Sequence, residues 1–152
     1  MANSLAPSGG IDALYLLTGE KSLIDTRKPT YLALSASFYS ADPDVAANTT
    51  PPTGELTVAG YSRAPIHTAG IWNAPVTAAD GSVSKTNAQY IAVGPFAEAG
   101  PDALSWFITT AATGTAADAS NIKAWGTLSV PKAVIAELQI VWLPGQFTFT
   151  FR

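Results

Sequence analysis

At the end of the chain Phe147, Phe149 and Phe151 alternate with Gln146, Thr148, Thr150 and Arg152. A period of two places the three rings on one face of a β-strand and the polar groups on the other. Shorter segments rich in aromatic and β-branched residues recur upstream, over residues 31–39, 56–66, 71–76, 83–85, 89–93, 104–110, 122–130 and 138–142. Turn signals separate them. Asp80-Gly81 is a tight-turn dipeptide, Gly94-Pro95 and Gly100-Pro101 mark two further breaks, and Pro131 marks a connection. Residues 40–54, with Pro43, Pro51, Pro52 and a run of Asn and Thr, read as a long loop. Short strands alternating with turns, with no strong helical period between them, predict antiparallel sheets and not parallel βαβ units.

The N-terminal part differs. Residues 1–10 are small and carry no apolar pattern, and Gly9-Gly10 reads as a hinge, so this segment is expected to be a flexible, extended arm. Ile11, Leu14 and Tyr15 recur at helical spacing with Gly19 following as a stop signal, which predicts a short N-terminal helix over residues 11–17. No internal repeat and no second composition regime divides the remainder. The expected fold is all-β, an antiparallel β-sandwich forming a single domain over residues 11–152, preceded by the arm at 1–10.

Composition narrows the function classes. The chain has 152 residues, of which 47% are apolar and 12% charged, about half the charged share of an ordinary soluble domain. That is too apolar for a disordered chain and suits a surface that meets other proteins. Eight basic and eleven acidic residues are scattered without a basic run, so nucleic acid is not an expected partner. Without cysteine there are no disulfides and no thiolate metal sites. The first ten residues, MANSLAPSGG, lack the basic start and apolar core of a signal peptide, and no apolar run is long enough for a membrane span, so synthesis in the cytoplasm is expected.

Few residues carry candidate chemistry. His67 is the only histidine and no serine lies in a nucleophile-elbow context, so His67 is read as a polar residue at a strand end and not as a catalytic base. Asp42 and Asp44 could open a calcium loop, but Ala46, Ala47 and Asn48 follow where oxygen ligands belong. Glu98 and Asp102 flank Gly100-Pro101 and read as solvated loop acids, not as the paired acids of a glycosidase. Asn48-Thr49-Thr50 matches the N-glycosylation pattern without a signal peptide to expose it to that machinery. Trp72, Trp106, Trp125 and Trp142 could form a sugar-stacking platform, yet aromatic residues in a β-domain more often fill the core. The reading is a non-enzymatic chain with no catalytic, metal or cofactor-binding residues and no cofactor.

Several segments resemble, in order and character, small virion structural proteins of tailed bacteriophages, of the type labelled tail-fibre or decoration proteins. They are Pro29-Thr30-Tyr31-Leu32-Ala33-Leu34-Ser35, Ala59-Gly60-Tyr61-Ser62-Arg63-Ala64-Pro65-Ile66 and Gly81-Ser82-Val83-Ser84-Lys85-Thr86-Asn87. Trp106-Phe107-Ile108, Gly126-Thr127-Leu128 and Pro144-Gly145 continue the correspondence. The resemblance implies a jelly-roll-like β-sandwich of the virion, made in the host cytoplasm. It would act by contact as a head decoration (cement) protein on the major capsid protein, or alternatively as a tail-fibre or tail-adaptor protein among tail components. Homo-oligomers, a trimer among them, would follow, and neither nucleic acid nor membrane is an implied partner. A host-surface glycan-binding module is a third reading, and a hydrolase a more distant one. In the Gly-Tyr-x-Arg segment, Tyr61 and Arg63 would share one strand face, where a planar guanidinium can stack on a ring.

Burying each phenylalanine of the C-terminal strand is worth about 1.5–3 kcal/mol, against a total stability of about 5–15 kcal/mol for a typical domain. Deleting residues 147–152 is therefore expected to abolish cooperative thermal unfolding followed by circular dichroism. A truncated chain that still melts cooperatively would contradict the placement of this strand in the core.

Overall fold

In a computed structural model of the chain, residues 3–5, 29–37, 54–113 and 122–151 are described. Among them there is no helix, and ten strands form three antiparallel sheets. The helix expected over residues 11–17 and nearly all of the loop expected over residues 40–54 lie outside the described residues.

The largest sheet has five strands in the order β1-β8-β7-β2-β3. They are β1 (Asn3–Leu5), β8 (Ile122–Val134), β7 (Gly100–Thr109), β2 (Tyr31–Ser35) and β3 (Ala64–Pro65). A second sheet orders β10 (Thr148–Phe151), β5 (Val83–Thr86) and β4 (Val76–Thr77), and β6 (Ile91–Val93) pairs with β9 (Ile140–Trp142) as a two-stranded ribbon. Inside the segment read as an arm, Asn3–Leu5 pair with Ala124–Gly126 of β8, so this part of the N-terminus is a strand at the edge of the sheet.

Alternation in β2 and β7 sends side chains to both faces of the five-stranded sheet, and both faces are buried. Leu32, Leu34, Trp106 and Ile108 enter the main core with Ile91 and Val93 of β6, Ile140 and Trp142 of β9, and Phe147. Ala33, Phe107, Ile122 and Trp125 form a second, smaller cluster. A sheet covered on both sides reads as a nearly continuous apolar run, which is why residues 31–35 show little alternation in sequence.

The C-terminal ladder behaves as its period requires. Phe147 is buried, Phe149 packs against the main core, and Gln146, Thr148 and Thr150 are exposed. Phe147 is the hub of an aromatic cluster, with ring centroids 5.1 Å from Phe149, 5.3 Å from Trp106, 5.8 Å from Trp142 and 6.2 Å from Trp72. Edge-to-face pairs of this kind add about 0.5–1.5 kcal/mol each beyond the area they bury. The strand arrives in place through the turn Leu143-Pro144-Gly145-Gln146, closed by the Gln146 N–H donating to the Leu143 carbonyl at 3.0 Å. Gly145 there has φ 81°, a conformation that glycine adopts without a Cβ clash.

One fully buried polar residue holds this region together. The Asn87 Nδ2 donates to the carbonyls of Gln89 at 2.8 Å and Leu143 at 2.9 Å, and its Oδ1 accepts from the Phe147 N–H at 2.8 Å. Its backbone N–H donates to the Phe147 carbonyl at 3.0 Å, and its own carbonyl accepts from the Gly145 N–H at 2.8 Å. Every polar group of Asn87 is thus satisfied away from water.

Several boundaries differ from the sequence reading, among them that of the strand expected over residues 71–76, of which only Val76 lies in a strand, β4 (Val76–Thr77). Gly100-Pro101 opens β7 and is not a turn before it, and β8 runs through Pro131 to Val134. Both prolines sit where the β7–β8 register shifts, between Gly100 and Ala103 and between Ala103 and Ser105, so no ladder hydrogen bond is asked of them. Gly100 is required by close approach, because a Cβ there would lie 2.3 Å from Val58 Cγ2. Residues 56–66, expected as a strand, contribute only the two residues of β3, because the Tyr61 N–H donates to the Val58 carbonyl and turns the chain. The expected turn at Asp80-Gly81 is present: Asp80 Oδ1 accepts from the Ser82 N–H at 3.0 Å and Oγ at 2.6 Å between β4 and β5. These bonds hold the exposed Asp80 carboxyl below its ordinary range.

Candidate functional site

Charged residues are sparse between Lys28 and Lys85. Arg63 is the only lysine or arginine in that span, and Glu55 is the only acid between Asp44 and Asp80. The fold brings these two together. Glu55 lies opposite Ser35 at the end of β2, where the Leu56 N–H donates to the Leu34 carbonyl at 3.0 Å and anchors the segment. Arg63 immediately precedes β3, whose pairing with Tyr31 and Leu32 sets Arg63 along the same edge of β2.

The contact is bidentate. Arg63 Nε donates to Glu55 Oε1 at 2.7 Å and Nη2 to Oε2 at 2.6 Å, with the two side chains 1% and 3% exposed. Nη1 donates to the Ala111 carbonyl at 2.8 Å. The guanidinium carbon stands 5.5 Å from the ring centroid of Phe107, within range of a cation–π contact. The Tyr61 hydroxyl donates to Glu55 Oε1 at 3.0 Å and accepts from the Leu34 N–H at 3.0 Å. Burial, reinforced by the neighbouring Glu55 carboxylate, pushes the Tyr61 hydroxyl far above its ordinary value of 10.0.

This arrangement corrects the expected stacking of Arg63 on Tyr61. Arg63 lies over Phe107 while Tyr61 completes the coordination of Glu55. Glu55, the centre of the network, was not singled out in the sequence, although its isolation from other charges was a usable signal. The cluster is a structural anchor: the Arg63 and Glu55 charges are matched to each other inside the chain.

The other candidates fall apart spatially or lie outside the described residues. His67 is exposed, its Nδ1 lies 3.0 Å from the Thr30 carbonyl and 3.2 Å from the Thr30 nitrogen, and its ring meets Tyr31 edge-on at 5.3 Å. Glu98 Oε1 accepts from the Ala59 N–H at 3.3 Å, which makes it a loop brace. Asp102 is exposed on β7. Asp42, Asp44 and Asn48-Thr49-Thr50 lie outside the described residues. Trp106, Trp125 and Trp142 are buried and Trp72 is half-buried, its Nε1 donating to the Ile66 carbonyl at 2.7 Å, so the tryptophans belong to the cores and form no open platform. Among the described residues no three His, Asp or Glu side chains gather where they could hold a metal ion, and no helix is long and apolar enough to cross a membrane.

The outer surface is the counterpart of the anchor. Tyr90, Leu143, Leu138 and Val141 are exposed around the ribbon of β6 and β9, and Val76 and Val83 on the sheet of β10, β5 and β4, with Tyr90 at 68% and Leu143 at 56%. No protein-family model and no curated protein matches this chain.

Two expected outcomes follow from the anchor. Arg63→Met strands a buried carboxylate and is expected to cost about 3–5 kcal/mol in urea denaturation, whereas Glu55→Leu combined with Arg63→Met costs less than either single change. For Tyr61, an unfolded chain ionises near pH 10 while the folded chain keeps the proton. Its contribution is therefore whole below pH 10 and is lost as pH rises above it, by up to about 1.4 kcal/mol per pH unit. The stability advantage of the parent over Tyr61→Phe is expected to shrink between about pH 9 and about pH 11, measured by denaturation at each pH.

Proposed function

We propose that this chain is a non-enzymatic structural protein of a tailed-phage virion, a jelly-roll-like β-sandwich that works by contact as a head decoration protein on the major capsid protein. The observation that carries this reading is the division of its polar groups. Glu55, Arg63, Tyr61 and Asn87 are turned inward and satisfied within the chain, while large apolar side chains stand on the exterior. A catalytic site needs the reverse, polar groups aimed at a cleft.

Two further observations support it. The main core draws on all three sheets, as the two layers of a sandwich require. The segments that resemble the phage proteins coincide with structural positions: residues 29–35 with β2, 59–66 with the Arg63 anchor and β3, and 81–87 with β5 and Asn87. Many copies on a lattice would raise the barrier to particle disassembly by avidity, each contact being modest on its own. The edge strand β1 gives the N-terminal segment a β-pairing chemistry that suits attachment to a neighbouring chain.

The test is localisation by labelled antibody in electron micrographs of intact particles, alongside occupancy of a chain lacking residues 1–10. Label over heads, with reduced occupancy of the shortened chain, is the expected outcome. Label on tails would move the assignment to a tail-fibre or tail-adaptor protein, and label on neither would overturn the virion reading.

A further inference from the structure

Asp80-Gly81 is the single place in the chain where an aspartate or asparagine is followed by glycine. Such a pair can rearrange without an enzyme. The Gly81 nitrogen attacks Cγ of the protonated Asp80 carboxyl, an N–Cγ bond forms and the Cγ–OH bond breaks. The proton of the nitrogen and the hydroxyl leave as water, and a five-membered succinimide remains. Water then opens the ring at either carbonyl. Opening at the backbone carbonyl of Asp80 leaves the chain running through Cβ and Cγ, an isoaspartate of unchanged mass. Glycine favours the step because it has no side chain to shield its nitrogen. Both residues are exposed here, and a Cβ placed on Gly81 would meet no atom within 4 Å.

The fold opposes the reaction at both reacting atoms. The Gly81 N–H donates to the Ala78 carbonyl at 3.0 Å and the Ala78 N–H to the Ser82 carbonyl at 2.8 Å, so the attacking nitrogen is held in a closed hairpin loop between β4 and β5. Asp80 Oδ1 accepts from the Ser82 N–H at 3.0 Å and from Ser82 Oγ at 2.6 Å. Ser82 is itself buried, which limits the other directions its hydroxyl can take. Two donors on one oxygen favour the carboxylate over the acid and restrict its rotation. Ring closure needs the acid, turned so that Cγ faces the nitrogen. We infer that Ser82 guards the Asp80-Gly81 bond, clamping the side chain of Asp80 so that an exposed and intrinsically labile turn does not rearrange to isoaspartate.

What the guard protects is a register. Across the turn Thr77 pairs with Val83, and on its other side Val83 pairs with Phe151 of β10. An extra backbone carbon at position 80 falls inside the loop that sets the first of these pairings, and the aromatic C-terminal strand rests on the second. The inference goes beyond the proposed function and does not depend on it: it concerns how long a folded copy keeps its covalent chain intact.

The experiment incubates the full chain at mildly acidic pH, at a temperature where circular dichroism shows it folded, and in parallel in urea. Isoaspartate in the peptide containing residues 80 and 81 is read by chromatography with fragment-ion mass spectrometry. The parent in urea is expected to accumulate it about tenfold faster than the folded parent. Ser82→Ala, folded at the same temperature, is expected to react about threefold faster than the folded parent and to match it in urea. Asp80→Asn keeps the accepting oxygen, closes the same ring by expelling ammonia and needs no protonated acid, so it reads the clamp alone. It too is expected to react more slowly folded than in urea. Equal rates for folded and unfolded parent would overturn the inference, as would a folded Ser82→Ala chain no faster than the parent or one that is faster in urea as well. Folded Asp80→Asn reacting at its rate in urea would also overturn it.

Discussion

A guanidinium taken out of water must find an anion and acceptors for its remaining donors, or its burial costs several kilocalories per mole. Arg63 finds the Glu55 carboxylate, the Ala111 carbonyl and the face of Phe107, which come from three separate stretches of chain. Meeting all three at once fixes where the loop ending at Tyr61 lies, where β3 begins and how the end of β7 approaches β2. An apolar residue at position 63 could slide along the sheet. The bidentate geometry cannot, because both nitrogen–oxygen contacts fail together when the register moves. The ion pair therefore acts more as a specification of arrangement than as a reserve of stability, and the apolar clusters on the two faces of the five-stranded sheet supply the greater part of the latter.

The molecule separates its polar and apolar chemistry in an uncommon direction. The residues best suited to recognition, an acid, a base, a tyrosine and an asparagine, are inside, where each has a fixed partner. The outside of the ribbon carries a tyrosine and aliphatic side chains free of charge.

Features encoded by neighbouring residues were legible in the sequence. The alternation of Phe147, Phe149 and Phe151, the turn at Asp80-Gly81 and the strand over 31–35 each depend on a few consecutive positions. Features that depend on distant residues were not. Pro101 and Pro131 looked like strand terminators, since the register shifts that accommodate them exist only in the pairing of β7 with β8. The Gly-Tyr-x-Arg segment looked like a strand, although a turn at Val58 to Tyr61 redirects it. Asn87, in a neutral polar stretch, gave no local sign that its amide would be wholly enclosed.

That enclosure bears on how the chain comes to be folded as it is made. Asn87 is joined through its side chain to Phe147, sixty positions later, and Asn3–Leu5 wait for Ala124–Gly126. A polypeptide emerging from the ribosome thus leaves the residues of its main core unsealed until Phe147 has been released. Folding is consequently dominated by distant pairings and slow by the rule that relates rate to sequence separation. During that interval the apolar segments have only solvent, chaperones or other nascent copies to meet, and the sparse charge of the chain offers them little protection from one another.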